Sequence, residues 1–415
     1  MRISLGFGKQ SIELDVNDEN LLGTLMPNDL EIGSCGEEEV KRALLNPIAS
    51  PRLGAIVKRN EKVAIITSDI TRPMPSKLVM PLILEELHEA GVRDENISII
   101  FALGSHRKHT EEEMRYLVGD SIYESIKCID LNVLDCVYMG ETASGTPLSV
   151  FRPVVEADRR ICLGNIEYHY FAGYSGGSKA IMPGVCTRDA IQKNHSMMVR
   201  DEARAGAIND NPVRRDIDEA IEFVPIDFIL NVVLDEKKKI IRAVAGHYLE
   251  AHREGCRFLD SLYRVTIPER ADIVVVSAGG YPKDINLYQA QKALDNAKHA
   301  VKDGGIVILV ASCKEGLGEQ TFERWMTTSA SPEDMITNIQ KKFELGGHKA
   351  AAIAMVLKKA RVFLVSDLEE AFVRSIFLEP CKSVDEALSE AFSALGSKAK
   401  VIVMPYGGST LPAIV

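Results

Sequence analysis

The sequence predicts an α/β protein built from two α/β domains with mostly parallel sheets and a cleft between them. Three observations predict it. Short apolar runs end in polar or glycine-rich loops and alternate with amphipathic stretches about 10–16 residues long, the pattern of strand–helix–strand units on a helix-covered sheet. A chain of 415 residues exceeds the roughly 250–300 over which one hydrophobic core keeps growing. After Leu259–Arg270, a charged helical stretch that runs through Pro268, the strand–helix alternation starts afresh and meets a second glycine-rich strand end at Ala278-Gly-Gly280. The expected division is therefore residues 1–265 and a smaller domain over 266–415.

The strands follow from β-branched runs bounded by turn residues: Val63–Thr67, Ile97–Ala102, Arg160–Gly164, Ile273–Ser277, Ile306–Ala311, Val362–Val365 and Val401–Met404. One helix is expected over Leu78–Ala90, closed by Gly91. Another is expected over Glu111–Val118, opened by the capping-box pattern from Thr110 to Glu113 and closed by Gly119. The first residues, MRISLGFGKQSIELDV, alternate like a strand and lack the apolar region and cleavage site of a secretory signal. No run of about 18 uncharged apolar residues could span a bilayer. A soluble, cytoplasmic protein without a membrane partner is expected.

The eight cysteines are scattered singly and form no CxxC pair, as expected of buried thiols in a reducing compartment. A formal net charge of −10 disfavours nucleic acid, because neutralising phosphates requires Lys and Arg. An anionic ligand would need a local cationic cluster.

In open α/β sheets ligands bind beyond the carboxyl ends of the strands, so those loops are read first. Val63–Thr67 is followed by Ser68-Asp-Ile-Thr-Arg-Pro73, where Asp69, Thr71 and Arg72 offer a carboxylate, a hydroxyl and a guanidinium before a helix start. The group suits a phosphate or carboxylate; a salt-bridged turn would read the same way. Ile97–Ala102 is followed by His106, placed for general-base work near neutral pH. His109, just before the capping Thr110, reads as a solvated surface residue. Next comes the densest segment, Asn165 to Gly184, then Asn194-His195-Ser196. Gly173, Gly176, Gly177 and Gly184 surround Lys179, so backbone can approach a ligand closely. Tyr168, Tyr170, Phe171 and Tyr174 suit either a water-excluding wall or ordinary core. This is no Walker A loop, since Ser178 stands where its second glycine belongs and Ala180 follows Lys179. His169 and His195 lie 26 residues apart, and no zinc-type cluster of His and Cys is present. In the second domain Tyr288, Gln289 and Lys292 share one face near a helix start, either as contacts to a carboxylate or as a solvated face.

These segments together resemble the nickel-dependent lactate racemase family. The strings are Asp69-Ile-Thr-Arg-Pro73, Gly104-Ser-His-Arg107, His169-Tyr-Phe-Ala-Gly-Tyr-Ser-Gly-Gly-Ser-Lys179, Asn194-His-Ser196, Asn211-Pro-Val213, Gly280 to Gln289 with Lys292, and Leu345-Gly-Gly-His-Lys-Ala350. The resemblance implies a racemase or epimerase that inverts C2 of a small anionic 2-hydroxy acid by proton-coupled hydride transfer through a bound 2-keto acid. It implies nickel held in a nickel pincer nucleotide, pyridinium-3,5-bisthiocarboxylic acid mononucleotide, tethered to Lys179 with His195 as the metal ligand. Asp69, Ile70, Thr71 and Arg72 match the nucleotide-binding segment, and His106 and His169 match the acid/base pair. Arg72, Tyr288, Gln289 and Lys292 match the substrate contacts. Residues 1–265 would then hold cofactor and catalytic groups, 266–415 would add substrate contacts across the active-site cleft, and cofactor-biosynthesis enzymes would be partners. One departure concerns the substrate: the only tryptophan, Trp325, lies upstream of where lactate-acting members place one, and Leu345–Val356 has none. Rival readings are a sugar-acid epimerase with the same site and a non-catalytic binding protein on the same scaffold.

Overall fold

The computed structural model describes residues 1–414, which divide into two compact units: Leu30–Asp260, and Met1–Asp29 together with the chain from Ser261 onward. Among the described residues no helix is long and apolar enough to cross a membrane.

The unit Leu30–Asp260 is built on a six-stranded sheet in the order Ile240–Gly246, Phe228–Leu234, Arg159–Asn165, Val63–Ser68, Ile97–Ala102, Lys127–Asp130. Every neighbouring pair is parallel except the first, where Ile240–Gly246 returns antiparallel and caps the edge. The four expected residues of a continuous apolar run, Val63, Ala64, Ile65 and Ile66, are all buried, as a strand covered on both faces requires. The chain leaves Val63–Ser68, adds two strands on one side, then crosses to Arg159–Asn165 on the other. This reversal opens a crevice where the C-terminal ends of Val63–Ser68 and Arg159–Asn165 diverge. Register pairs Ser68 with Ala102, so the loops carrying Asp69 and His106 leave the same sheet edge side by side.

The helix after Val63–Ser68 runs from Ser76 to Glu89, and Gly91 takes φ 83° just beyond it. The Glu111–Val118 helix carries the full capping box, with Thr110 accepting from the Glu113 amide and Glu113 from the Thr110 amide.

The second unit holds a six-stranded, wholly parallel sheet in the order Glu379–Cys381, Arg361–Val365, Val301–Val310, Ala271–Ser277, Val401–Met404, Leu21–Thr24. Side chains alternate between two cores. Val274, Val276, Val307 and Leu309 face the helices Leu287–Ala297 and Gly347–Leu357. Ile273, Val275, Ile306 and Ile308 face the helix Val384–Leu395 and the hairpin Arg2–Phe7/Gln10–Asp15. The first 29 residues therefore correct the expected 1–265 domain, and the boundary falls at Asp260/Ser261. Ile3, Leu5, Phe7, Leu14 and Val16 bury against this sheet, and Leu21–Thr24 is its edge strand. Alternation announces a strand but not the sheet that it joins.

Candidate active site

At the end of Val63–Ser68 the backbone turns on Asp69, which is 4% exposed. Its Oδ1 accepts the Thr71 amide at 2.8 Å and its Oδ2 lies 3.1 Å from His106 Nδ1. Burial opposes ionisation, yet the hydrogen bond and charge of His106 and the bonds from Thr71 hold the carboxyl down to about 2. A carboxylate there accepts Nδ1–H of His106, which leaves the lone pair on Nε2. Thr71 and Arg72 are exposed.

His109 differs from its expected surface role. Its side chain is 1% exposed, Nδ1 lies 2.6 Å from Asp130 Oδ1, and Nε2 accepts the Ile70 amide at 3.0 Å. The ring thus ties the Asp69–Arg72 turn to the neighbouring strand Lys127–Asp130. Both partners are distant in sequence, so adjacency to Thr110 misled.

The loop after Arg159–Asn165 folds into a short hairpin pairing Tyr168–His169 with Gly173–Tyr174. Gly173 sits at φ 77°, and a Cβ there would lie 1.9 Å from the Ala207 carbonyl oxygen. Gly177, at φ 59°, packs so tightly on the buried His252 ring that a Cβ would meet it at 2.8 Å. Tyr168 and Tyr174 both donate to Asp260 Oδ1, at 2.8 and 2.7 Å, so these two rings anchor the hairpin.

Phe171, 3% exposed, is the hub. The rings of His169 and His195 meet it edge-on at 4.5 and 4.9 Å, and Lys179 Nζ lies 5.9 Å from its centroid. Burial, then the charges of Lys179, Arg72, His195 and Arg214, push His169 well below the usual histidine range. Its Nδ1 accepts the Ala172 amide at 3.2 Å, so the neutral ring carries its proton on Nε2. Burial, then Arg214 and Arg72, push Lys179 well below the usual lysine range, which favours the nucleophilic free amine. His195 ends the helix Arg188–His195 and is 7% exposed, with Nδ1 2.9 Å from Asn194 Oδ1.

The structure thus brings Asp69, Ile70, Thr71, Arg72, His106, His169, Lys179 and His195 to one end of the Leu30–Asp260 unit. In the other unit Tyr288, Gln289 and Lys292 lie in the first turns of Leu287–Ala297, capped by Asn286. Gln289 and Lys292 are exposed. Tyr288 packs edge-on to Phe322 at 5.5 Å, and Lys349 Nζ sits 3.9 Å from its ring. Trp325 donates its indole N–H to Glu344 at 2.9 Å and packs beside Gly347. Residues that pattern alone did not single out are Asp130, Asp216 and His252; only the polar identity of buried positions could have signalled them.

Imidazoles and a buried amine at the strand ends of a doubly covered parallel sheet are the arrangement of an α/β enzyme. Comparison with known proteins names the family. Residues 7–206 match the lactate racemase N-terminal domain and 267–411 the lactate racemase C-terminal domain. The lactate racemase of Thermoanaerobacterium thermosaccharolyticum is 35% identical over 99% of this chain and 98% of its own. That of Lactiplantibacillus plantarum is 34% identical over 98% of both. The structure of the T. thermosaccharolyticum lactate racemase apoprotein superposes with a TM-score of 0.90, covering all of both chains at 34% identity. A crystal structure of a Thermotoga maritima protein shares the fold at a TM-score of 0.63 and 19% identity, covering 91% of this chain and 98% of that one. The chain belongs to the lactate racemase family, a family of isomerases.

Proposed function

We propose that this protein is a racemase or epimerase that inverts C2 of a small anionic 2-hydroxy acid, lactate or a larger relative, with a nickel pincer nucleotide. The observation that carries this reading is the gathering of His169, Lys179 and His195 around Phe171, with Lys179 held toward its neutral amine.

The residues fit the group. A thioamide tether needs an unprotonated amine, which Lys179 offers. Among the described residues no three His, Cys, Asp or Glu side chains are arranged to hold a metal ion, so a metal at His195 would take its remaining donors from the cofactor. Arg72 and Thr71 would hold the nucleotide through a guanidinium and a hydroxyl, on a turn that Asp69 and Ile70 shape through the Thr71 amide bond to Asp69 and the Ile70 amide bond to His109. When bound, the nickel nucleotide supplies a hydride acceptor and donor for C2.

The chain's own groups then handle protons and position. His106, with Nδ1 on Asp69, presents the Nε2 lone pair to the substrate hydroxyl. His169 would face the opposite enantiomer with Nε2, which carries the ring proton here, so it is set to give a proton to the substrate oxygen and could take one at Nε2 only after that proton had moved to Nδ1. For its ring to gain a second proton, the Ala172 amide contact must open, since a doubly protonated imidazole has no acceptor. Arg72, Tyr288, Gln289 and Lys292 would engage the substrate's carboxylate and hold the keto acid while its carbonyl turns over. Cofactor-biosynthesis enzymes are required partners in this reading.

Protein made alongside those enzymes should carry a mass adduct at Lys179 and about one nickel per chain, and chiral chromatography over a panel of D-2-hydroxy acids should find one that equilibrates. Lys179→Ala and His195→Ala should lose nickel, whereas His106→Ala and His169→Ala should keep it and lose racemisation. Unmodified Lys179 without nickel in wild-type protein would bring forward a binding protein on the same scaffold.

A further inference from the structure

Asn194 is wholly buried at the end of the helix Arg188–His195 and makes three hydrogen bonds with its side chain. Its Nδ2 donates to the Val213 carbonyl at 3.1 Å and to Asp216 Oδ2 at 2.7 Å. Its Oδ1 faces His195 Nδ1 at 2.9 Å. A carboxamide nitrogen has two protons, and both are spent here on oxygen acceptors, so the amide has one orientation and its oxygen must face the imidazole. An oxygen without a hydrogen can only accept, so His195 carries its proton on Nδ1 and its lone pair on Nε2.

Asp216 is itself tightly held. It is 1% exposed on the helix Pro212–Phe223, and its carboxylate also accepts the hydroxyls of Thr142 and Thr146, the latter at 2.8 Å. These threonines flank the turn that joins Cys136–Glu141 to Pro147–Phe151, and the Thr146 amide in turn donates to Thr142 Oγ1 at 3.1 Å. Hairpin, helix and imidazole are thus joined through one buried carboxylate and one amide.

We propose that Asn194, clamped by Asp216, is the positioning residue that fixes His195 in the Nδ1–H tautomer and so presents Nε2 as a metal ligand. The inference rests on the nickel reading for its purpose, but the tautomer is a property of the protein alone. Outer partners of this kind typically carry about a 10–100-fold effect on metal affinity.

The test is nitrogen NMR of the apoprotein labelled at histidine, with the His195 signals identified from the His195→Gln spectrum. Wild-type protein should show a proton-bearing Nδ1 and a bare Nε2. Asn194→Leu, which keeps the shape and removes both the acceptor and the clamp, should populate the Nε2–H form, and Asp216→Asn should do so in part. A wild-type His195 protonated at Nε2, or an unchanged tautomer in folded Asn194→Leu, would overturn the proposal. If Asn194→Leu does not fold, the wild-type tautomer and Asp216→Asn still decide it. In protein loaded by the cofactor-synthesis enzymes, Asn194→Leu should release nickel to a chelator at least about tenfold faster than wild type; equal rates would also overturn the proposal. Wild-type protein with the Nδ1–H tautomer but no nickel after co-synthesis would count against the nickel reading and leave the tautomer assignment standing.

Discussion

Asp69 and His106 form a carboxylate–imidazole pair from two adjacent strand ends, and Asp69 stays ionised because His106 and Thr71 outweigh its burial. A folded carboxyl held at about 2, against an ordinary value of 3.8, contributes stability that is fully present above pH 4 and is lost as pH falls through 2. At about 1.4 kcal/mol per pH unit the contribution is roughly 2 kcal/mol. Asp69→Asn should therefore be less stable than wild type at pH 6 by about that amount, with the gap closing between pH 4 and 2 in urea titrations. A gap unchanged by pH would remove the charge from the argument. His106 and Asp69 were legible in the sequence because each follows a short apolar run directly. Asn194 appeared there only as part of a string. Its role depends on Asp216, Thr142 and Val213, which only the folded chain brings together.

Among the elements, the loop from Asn165 to Gly184 shows why glycine clusters are informative and incomplete. Gly173 and Gly177 were legible as places where backbone comes close, but the neighbour of Gly177 is a histidine 75 residues away in sequence. His252 is 1% exposed, donates Nε2–H to the Ser175 carbonyl at 2.8 Å and accepts from Arg253 on Nδ1. Both nitrogens are engaged as a neutral ring requires. Burial, then the charges of Arg214 and Arg253, lower its pKa to about 3. The unfolded chain takes up a proton near 6.5 and the folded one does not, so this contribution is complete above pH 6.5 and is lost as pH falls toward 3. We expect His252→Gln, which can still donate to Ser175, to unfold with a flatter pH dependence than wild type between pH 6.5 and 4. Identical slopes in denaturant titrations would show that His252 does not carry the acid sensitivity of the loop. Ile97–Ala102 and Val401–Met404 are as expected and Val63–Ser68 differs by one residue, whereas Val301–Val310 begins five residues before the expected Ile306, in the polar stretch Lys302-Asp-Gly-Gly305. The short helix Gln320–Thr328 is capped by Glu319, whose carboxylate accepts the Thr321 and Phe322 amides, and it buries only Phe322 and Met326, a periodic signal too short to stand out; the antiparallel edge strand Ile240–Gly246 is held by its pairing with Phe228–Leu234.

For the whole molecule, the chain begins in the unit where it also ends, so the residues that seal the second sheet are those furthest from it in sequence. Leu5 is wholly buried in the hairpin Arg2–Asp15, in the same core as Val275, Ile308 and Phe363. Hydrophobic alternation in the first residues identified the hairpin's inward face, but a period of two contains no information about which of two parallel sheets will receive it. If the hairpin is an integral layer, Leu5→Ala should cost about 2–5 kcal/mol, as cavity formation in a packed core does. Amides of Ala271–Ser277 and Val301–Val310 should then exchange faster with solvent, while those of Val63–Ser68, in the other unit, keep their protection. Loss of protection confined to the hairpin would mean that the first 29 residues only cover a sheet that is stable without them. Faster exchange across the second sheet would mean that residues 1–265 and 266–415 cannot be separated as folding units, because the second sheet would have lost the segment that closes one of its faces.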